Sequence, residues 1–427
     1  MIWILGGYLW LYVHRPFEVW PALGMLQFER GYMFAMILAW AVTPSKSLAF
    51  NRIHLSIAFF TACLLAVWLA SPFASKPGTW EVIDNYLKVC VFYFLVITTV
   101  REERDLRLLV LLFLAAVGLY MAHSLWEFAH GRYQWRMGTR RMIGVDTTFS
   151  DPNAFASTLL YSLPMTLPFW YEQPRRVPRW VLIGFVLGVV LCILLTGSRA
   201  AFAGLCLLAM MLFVFSAKHK FQAILSCGAL GVAGMFVLLV ALPEDLSNRY
   251  LTLIDSSRGP QNAAESASGR LDGFVHGIEA WQKSPLLGHG PAAFAYVTNR
   301  GGQAHNLYGQ VLSEMGLLGA MALALLVGCF WFNWRDACRV VASEGGVRPD
   351  DFLYQLSRAI SINILLLLVM GWSGHNLFRY NWQWLAAFSG VATFLLLRRQ
   401  SEAAQYAGWD LPETAEESAV GQWQFEA

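Results

Sequence analysis

Charged residues are scarce in this chain. Asp, Glu, Lys and Arg make up only 14% of its 427 residues, whereas they account for roughly 25% of a soluble globular domain. Hydrophobic residues make up 57% and aromatic residues 15%. This composition excludes a soluble multidomain enzyme, a disordered chain and a small secreted disulfide scaffold. The net charge of +3 is too close to balance to indicate nucleic-acid binding.

Cysteine is also sparse, and its positions exclude a disulfide framework. Six of the seven cysteines fall in strongly apolar stretches, and Cys338 follows one of them. The sequence lacks the H-E-x-x-H, C-x-x-C, Walker A, G-x-S-x-G and D-x-D patterns as well. A zinc-dependent or ATP-driven reaction is therefore disfavoured, and we expect no metal and no other cofactor.

Apolar runs recur along the chain, and most reach the roughly 17 to 25 residues that a helix needs to cross a bilayer. Because hydrocarbon offers backbone groups no hydrogen-bond partners, such runs must be helical. We predict an all-α polytopic membrane protein with about twelve transmembrane helices within residues 1–397. The predicted spans are 2–13, 31–43, 55–72, 84–100, 107–123, 153–171, 180–196, 200–216, 222–242, 307–332, 355–375 and 381–397.

In the short connections, Lys and Arg favour one side of this predicted bundle, which should be cytoplasmic and should hold both chain termini. The other side has nearly as many in total, but most of them lie in long connections, which escape this rule. Two longer connections, 124–151 and 243–304, then lie on the periplasmic side. Residues 398–427 form a predicted disordered, acidic cytoplasmic tail. The short connections assigned to the cytoplasmic side are 44–54, 101–107, 172–179, 217–220 and 333–358.

The longest connection, 243–304, contains a predicted amphipathic helix. Apolar residues recur at helical spacing from Leu271 to Trp281. We expect this face to lie on the membrane surface or to pack over the bundle. Arg270 stands at the beginning of the helix, near the lipid headgroups, and the stretch 256–269 before it is typical of a mobile linker.

Two side chains at predicted span ends are candidates for chemistry. Arg199 follows a tight turn, where an isolated arginine is explained equally well as a snorkelling anchor. His305 precedes a span whose small residues on the same helix face indicate either close helix packing or a groove leading to the imidazole. Glu314 should point away from His305 and hydrogen-bond to a neighbouring helix. The residues on the His305 face are Gly309, Leu312, Gly316 and Gly319.

A second group of candidates lies in the connection 124–151. Two explanations of its four arginines remain open. A long loop is translocated easily whatever its charge, or the arginines hold an anionic headgroup. Asp151 and Pro152 are a natural helix start, because Asp caps a helix and Pro suits its first position. The lower-priority candidates for substrate contacts are Arg140, Arg141, Asn153, Asn306 and His375.

Taken together, these residues resemble the fingerprint of the bacterial O-antigen ligase and polymerase superfamily. The resemblance covers roughly residues 140–330. The sequence departs from the family pattern at Phe274, where the family usually has Leu. The matching residues are His305-Asn306 followed by Gly316 and Gly319, Thr196-Gly197-Ser198-Arg199, Ser268-Gly269-Arg270-Leu271 and Ser284-Pro285-Leu286-Leu287-Gly288-His289-Gly290.

The resemblance implies a glycosyltransferase C-type fold and a function at the periplasmic face of the bacterial inner membrane. The implied reaction transfers a glycan from undecaprenyl pyrophosphate to an acceptor hydroxyl, without a metal and with inversion. By position, Arg199 and Arg270 would bind the pyrophosphate, and His305 and Arg270 would be catalytic. The acceptor would be a lipid, a protein or another glycan, which leaves ligase and polymerase open.

Two further functions compete with this one. A polysaccharide transporter or flippase is disfavoured, because its charged residues should line the membrane at mid-depth, whereas here they gather at one face. A non-catalytic assembly subunit would tolerate the loss of His305.

Overall fold

The computed structural model describes residues 1–427 except 45, 49, 137, 149, 173, 217–242, 253–261, 300–301, 345, 347, 349 and 410–427. The described residues are mostly helical. The elements are α1 (Ile2–His14), α2 (Pro16–Val19), α3 (Pro21–Met25), α4 (Phe28–Val42), α5 (Arg52–Ala70), α6 (Pro77–Thr99), α7 (Glu103–Ala129), β1 (Gln134–Arg136), β2 (Thr139–Arg141), α8 (Pro152–Ser162), α9 (Leu167–Tyr171), α10 (Arg179–Thr196), α11 (Arg199–Ser216), α12 (Glu244–Leu251), α13 (Asn262–Lys283), α14 (Phe294–Thr298), α15 (Leu307–Ser343), α16 (Phe352–Gly371) and α17 (Asn381–Trp409).

The protein is an all-α, multi-pass membrane protein. Within the described residues, six helices are long and apolar enough to cross a membrane, namely α5, α6, α7, α10, α15 and α16. Every predicted span among those residues coincides with helical structure. The count of about twelve transmembrane helices is not confirmed, and the predicted span 222–242 lies outside the described residues.

The predicted span 153–171 is not one continuous helix. Its residues form α8, a 3-10 turn at Leu163–Thr166 and then α9. Pro164 and Pro168 explain the break, because each lacks a backbone N–H and crowds the preceding turn. The predicted helix start is confirmed, since the Asp151 carboxylate accepts hydrogen bonds from the backbone N–H groups of Asn153 and Ala154.

The last helix continues past the predicted end of the membrane domain. Because α17 runs to Trp409, residues 398–409 are helical where we predicted the start of a disordered tail. Arg399 fixes this extension by donating hydrogen bonds to Asp351 at 2.7 Å and to Glu344 at 2.8 and 2.9 Å. Residues 410–427 lie outside the described residues, so for them disorder stays a prediction.

Buried aromatic rings join the first helix to the last. The ring of Trp384 in α17 lies 5.4 Å from Tyr12 in α1, 5.3 Å from Phe92 in α6 and 6.0 Å from Phe113 in α7, between ring centroids. The three pairs are tilted or edge-on, which suits the ring quadrupoles. The short N-terminal helix α1 is therefore an integral part of the bundle.

Both long connections lie at one end of the bundle, which we call the loop face. Strands β1 and β2 of the first connection form an antiparallel hairpin, and β2 packs against α12 of the second. The backbone N–H of Arg140 also donates to the Asp245 carboxylate at 3.4 Å. The loop face therefore comprises the described residues within 132–152 and 243–306.

The long connection is more helical than the sequence predicted. Residues 262–269, which we expected to be linker, belong to α13. Its buried face is also different, because Gly273 and Gly277 lie against α15, whereas Leu271 and Val275 are 54% and 44% exposed. Of the two positions expected for the apolar face, packing over the bundle is therefore wrong for Leu271 and Val275, and the membrane surface stays a prediction for them. Glycines lie at the contact because they let two helix backbones touch.

Helix α15 is interrupted at Gly316, which the sequence analysis did not predict. Gly316 has φ of 61° and ψ of −155°, a conformation that glycine adopts without penalty. The loop 285–290 supplies the hydrogen-bond partners that the interrupted helix lacks. The four bonds run from Leu317 N to Pro285 O (2.9 Å), Leu318 N to Leu286 O (3.1 Å), His289 N to Ser313 O (2.9 Å) and Gly290 N to Glu314 O (2.9 Å).

Candidate active site at the loop face

The turn after α10 positions Arg199. Gly197 ends α10 in the left-handed conformation, with φ of 61°, and α11 begins at Arg199. The Nη1 atom of Arg199 donates a hydrogen bond to Thr252 Oγ1 at 2.9 Å. The guanidinium is thereby directed toward the long connection. The snorkelling interpretation does not explain this hydrogen bond, because an anchor needs no partner there.

Arg270 and His305 are brought together where α13 meets the beginning of α15. A Cβ on Gly273 would lie 1.8 Å from the carbonyl oxygen of Ala304, so the two backbones are in direct contact. Arg270 is less than one turn before Gly273, and His305 directly follows Ala304. Burial, followed by the Arg270 charge, lowers the pKa of His305. The two side chains are therefore close enough to interact electrostatically.

His305 is held in an unusual backbone conformation, with φ of 46°. Such a conformation is uncommon outside glycine, although His adopts it more readily than most residues. Asn306 then caps α15, because its Oδ1 accepts from the N–H groups of Tyr308 and Gly309 while its Nδ2 donates to Trp372 O at 3.1 Å. Asn306 is fully buried, so we assign it to holding His305 in place rather than to a substrate contact.

Arg249 is a further arginine at this site, and no sequence motif singled it out. It is 8% exposed and donates from Nε to the carbonyl oxygen of Gly197 at 2.7 Å. Burial and the Arg199 charge lower the pKa of Arg249 and also that of Arg270. Three guanidinium groups therefore converge. Pro243 followed by two acidic residues signals the start of α12 and could have placed Arg249 at its other end.

A known family model matches the part of the chain that contains most of this site. Residues 183–324 match the family model described as O-Antigen ligase. The resemblance to the O-antigen ligase and polymerase superfamily is confirmed. The match supports a ligase- or polymerase-type enzyme with lipid-linked glycan and acceptor substrates. No curated protein matches the chain.

The matched region, residues 183–324, contains Arg199, Arg249, Arg270 and His305, and its glycines lie at contacts between backbones. A Cβ on Gly309 would lie 2.6 Å from Gly273 O, and one on Gly316 would lie 2.6 Å from Gly288 N. Because α15 breaks at Gly316, the expected continuous strip from Gly309 to Gly319 does not form. The described structure therefore supports the packing interpretation of these glycines rather than a groove.

Glu314 lies within the matched region 183–324, and its hydrogen bonds stabilise the fold there. Its carboxylate accepts from Gln310 Nε2 at 3.2 Å and from the backbone N–H groups of Ala292 and Phe294. It thus holds the segment that leads into α14. The expectation was a hydrogen bond to a neighbouring helix, and the bond from Phe294, the first residue of α14, agrees with it.

The neighbouring arginines Arg140 and Arg141 lie on opposite faces of the β1–β2 hairpin. Arg141 is 1% exposed and donates to Thr196 O at 2.7 Å and to Asn153 Oδ1 at 3.1 Å. Arg140 lies on the opposite face of the hairpin, where its guanidinium is 5.7 Å from the Tyr133 ring. Arg141 and Asn153 therefore support the turn that carries Arg199, and Arg140 is directed away from it.

Arg136, on the same face of the hairpin as Arg141, is the hairpin arginine whose charge acts on His305. Its charge helps to lower the pKa of His305, after burial and Arg270, while Asp151 raises it. Arg136 is exposed and was not a specific candidate in the sequence analysis. The strand register, which pairs Arg136 with Thr139, places it on this face.

His375 lies beside His305, although it follows the matched region 183–324 by about fifty residues. The two ring centroids are 5.2 Å apart with an edge-to-face geometry. Burial and then His305 lower the pKa of His375 to about 3. Both imidazoles are therefore neutral at neutral pH, and a neutral imidazole can accept a proton. In the part of the chain that the structure describes, no three His, Cys, Asp or Glu side chains gather as metal ligands.

Proposed function

We propose that the protein is a membrane glycosyltransferase of the O-antigen ligase type. It transfers a glycan from undecaprenyl pyrophosphate to an acceptor hydroxyl at the periplasmic face of the bacterial inner membrane. The observation that carries this proposal is the convergence of Arg199, Arg270 and His305 from three separate parts of the chain at the loop face.

The arginines suit the diphosphate of the donor. A diphosphate diester carries about two negative charges, and arginine offers planar, paired donors with a permanent positive charge. Charge grows on the diphosphate as its bond to the sugar breaks. Fixed cations at this position stabilise that charge in the transition state, which is the work that a metal ion performs in other transferases. Metal independence is therefore part of the proposal.

His305 suits the role of general base. Because its pKa is lowered, the ring is neutral at neutral pH and can accept the proton of the attacking hydroxyl. The hydroxyl oxygen forms a bond to the anomeric carbon while the bond from that carbon to the diphosphate oxygen breaks. The proton passes to His305, and undecaprenyl pyrophosphate leaves. In-line attack inverts the configuration of the anomeric carbon.

The orientation in the membrane follows from the distribution of Lys and Arg. The short connections opposite the loop face carry the positive charge that favours the cytoplasm. The loop face is then periplasmic, both termini are cytoplasmic, and the candidate site lies on the side on which exported glycans are attached.

Replacement of His305 tests the catalytic role. We expect His305→Ala to lower the rate of glycan transfer by about 100-fold or more, which is the contribution of a general base, with normal abundance in the membrane. His130→Ala is the matched control, because His130 is an exposed histidine of the loop-face end of α7. Full transfer by His305→Ala would remove the proposed function.

Deletion of the protein in its host separates the ligase from the polymerase. A ligase defect leaves full-length surface glycan unattached to its acceptor. A polymerase defect leaves single repeat units. Electrophoresis of the surface polymers, with and without restoration of the protein, distinguishes these outcomes, and single repeat units would replace the ligase with the polymerase in our proposal.

A further inference from the structure

The end of α12 docks on the turn that carries Arg199. Arg249, Tyr250 and Thr252 each contribute a side chain to this contact, and all three are buried. The bonds are Arg249 Nε to Gly197 O (2.7 Å), Tyr250 Oη to Leu194 O (3.0 Å) and Ile193 O (3.1 Å), Arg199 Nη1 to Thr252 Oγ1 (2.9 Å), and Thr252 Oγ1 to Arg249 O (2.7 Å).

Two of these side chains satisfy the end of α10. The last carbonyl groups of a helix have no partner within the helix. Tyr250 lies within hydrogen-bonding distance of two of them, and Arg249 donates a hydrogen bond to the carbonyl oxygen of Gly197. These contacts make the turn rigid and bring Thr252 against Arg199.

The Thr252 hydroxyl has a different task. Its single hydrogen is donated to the Arg249 carbonyl, so its lone pairs are left to accept from Arg199. Because this hydrogen is already used, the hydroxyl accepts from the guanidinium and donates no hydrogen bond of its own to a bound anion. An arginine that is already held in one conformation loses less side-chain freedom when it binds a ligand.

We propose that Thr252 is a positioning residue for Arg199, which its hydroxyl holds in the orientation that receives the diphosphate of the lipid donor. The inference rests on the proposed function, in which Arg199 binds that group. It makes α12 part of the binding site, although no side chain of the turn 249–252 needs to touch the substrate.

The test measures binding of radiolabelled undecaprenyl diphosphate to the full-length protein in nanodiscs. Thr252→Val removes the hydroxyl, and Thr252→Ser keeps it. Each variant is made in the natural protein and in Arg199→Ala. Thr298→Val is the matched control, because the Thr298 hydroxyl donates a hydrogen bond within its own helical turn, to Phe294 O. Melting temperatures are recorded for every variant.

We expect Thr252→Val to weaken binding about tenfold, as the loss of a hydrogen bond to a charged group does. Thr252→Ser should bind within about twofold of the natural protein, and Thr298→Val should bind normally. In the Arg199→Ala background, Thr252→Val should cause no further weakening, because two residues that act through one contact are not additive.

Two results would overturn the inference alone. One is normal binding by Thr252→Val, and the other is an equal weakening with and without Arg199, which would make Thr252 a purely structural residue. Normal binding by Arg199→Ala itself would instead remove the role of Arg199 from the proposed function. The two failures are therefore distinguishable in one set of measurements.

Discussion

Gly273 lies so close to the carbonyl oxygen of Ala304 that an added Cβ would come within 1.8 Å of it. Arg270 is less than one turn before Gly273, and His305 is the residue after Ala304. The contact between these two backbones therefore sets the separation of the guanidinium and the imidazole. A side chain cannot be accommodated there unless one backbone moves, because the obstacle is a carbonyl oxygen rather than a flexible side chain.

Replacement of Gly273 by Ala should therefore separate Arg270 from His305. We expect a loss of stability of about 1–3 kcal/mol from overpacking, together with a loss of glycan transfer of about tenfold or more. Thermal unfolding and the rate of donor consumption in proteoliposomes measure the two effects. Gly328→Ala is the control, because Gly328 of α15 has open space around its Cα. Unchanged transfer by Gly273→Ala would show that this contact does not set the site.

The pH dependence of transfer should report the protonation of His305. The lowered pKa of His305 means that the folded protein keeps the imidazole neutral until the pH falls below its ordinary value of 6.5. A general base must be neutral, so transfer should be lost as the pH falls through the pKa of the folded protein. The acidic midpoint of kcat/KM should therefore lie below 6.5. A midpoint above that value would contradict the assignment of His305 as the base.

Two charge changes should move this midpoint in opposite directions. Arg136 lowers the pKa of His305 and Asp151 raises it. Arg136→Gln should therefore shift the acidic midpoint upward, and Asp151→Asn should shift it downward. Asn still caps α8, so the helix start is kept. Measurement of kcat/KM against pH at constant ionic strength checks both shifts, and shifts of the same sign would exclude a direct electrostatic effect on His305.

At position 199, shape should matter as well as charge. Arg199→Ala should lower transfer by about 100-fold, which is typical of removing one donor from a transition-state site. Arg199→Lys should restore only part of this loss, because a point charge cannot reproduce the paired donors of a guanidinium. Initial rates at saturating donor check the order Arg, Lys, Ala. Equal rates with Arg and Lys would reduce Arg199 to a membrane anchor.

The helices of this protein were predictable from sequence because they follow from local composition. A run of apolar residues must be helical in a bilayer whatever its neighbours are, and Asp151 and Pro152 start α8 as expected. The interruption of the predicted span 153–171 was also within reach, since Pro164 and Pro168 lie inside it. The break at Gly316 was not, because its hydrogen-bond partners lie about thirty residues earlier, in the loop 285–290.

The site was predictable in part. The resemblance to the O-antigen ligase and polymerase superfamily implied Arg199, Arg270 and His305, and these lie close to one another at the loop face. Sequence signals could place Arg249 at the end of α12 but could not assign it to the site, because its burial depends on how α12 packs against the end of α10. The difference between Arg140 and Arg141 depends on the register of a hairpin, and a shift of one residue would exchange their two faces.

The register of the β1–β2 hairpin predicts different effects for the replacement of Arg140 and of Arg141. Arg141→Ala would leave the Thr196 carbonyl without its buried donor, at a cost of about 1–3 kcal/mol, and would release the turn that carries Arg199. We expect a lower melting temperature and a loss of transfer of about tenfold. Arg140→Ala should change transfer by less than about twofold, since an exposed contact between a cation and a ring contributes little. The opposite order, measured by thermal unfolding and donor consumption, would place Arg140 in contact with the substrate and would show that the hairpin pairs in another register.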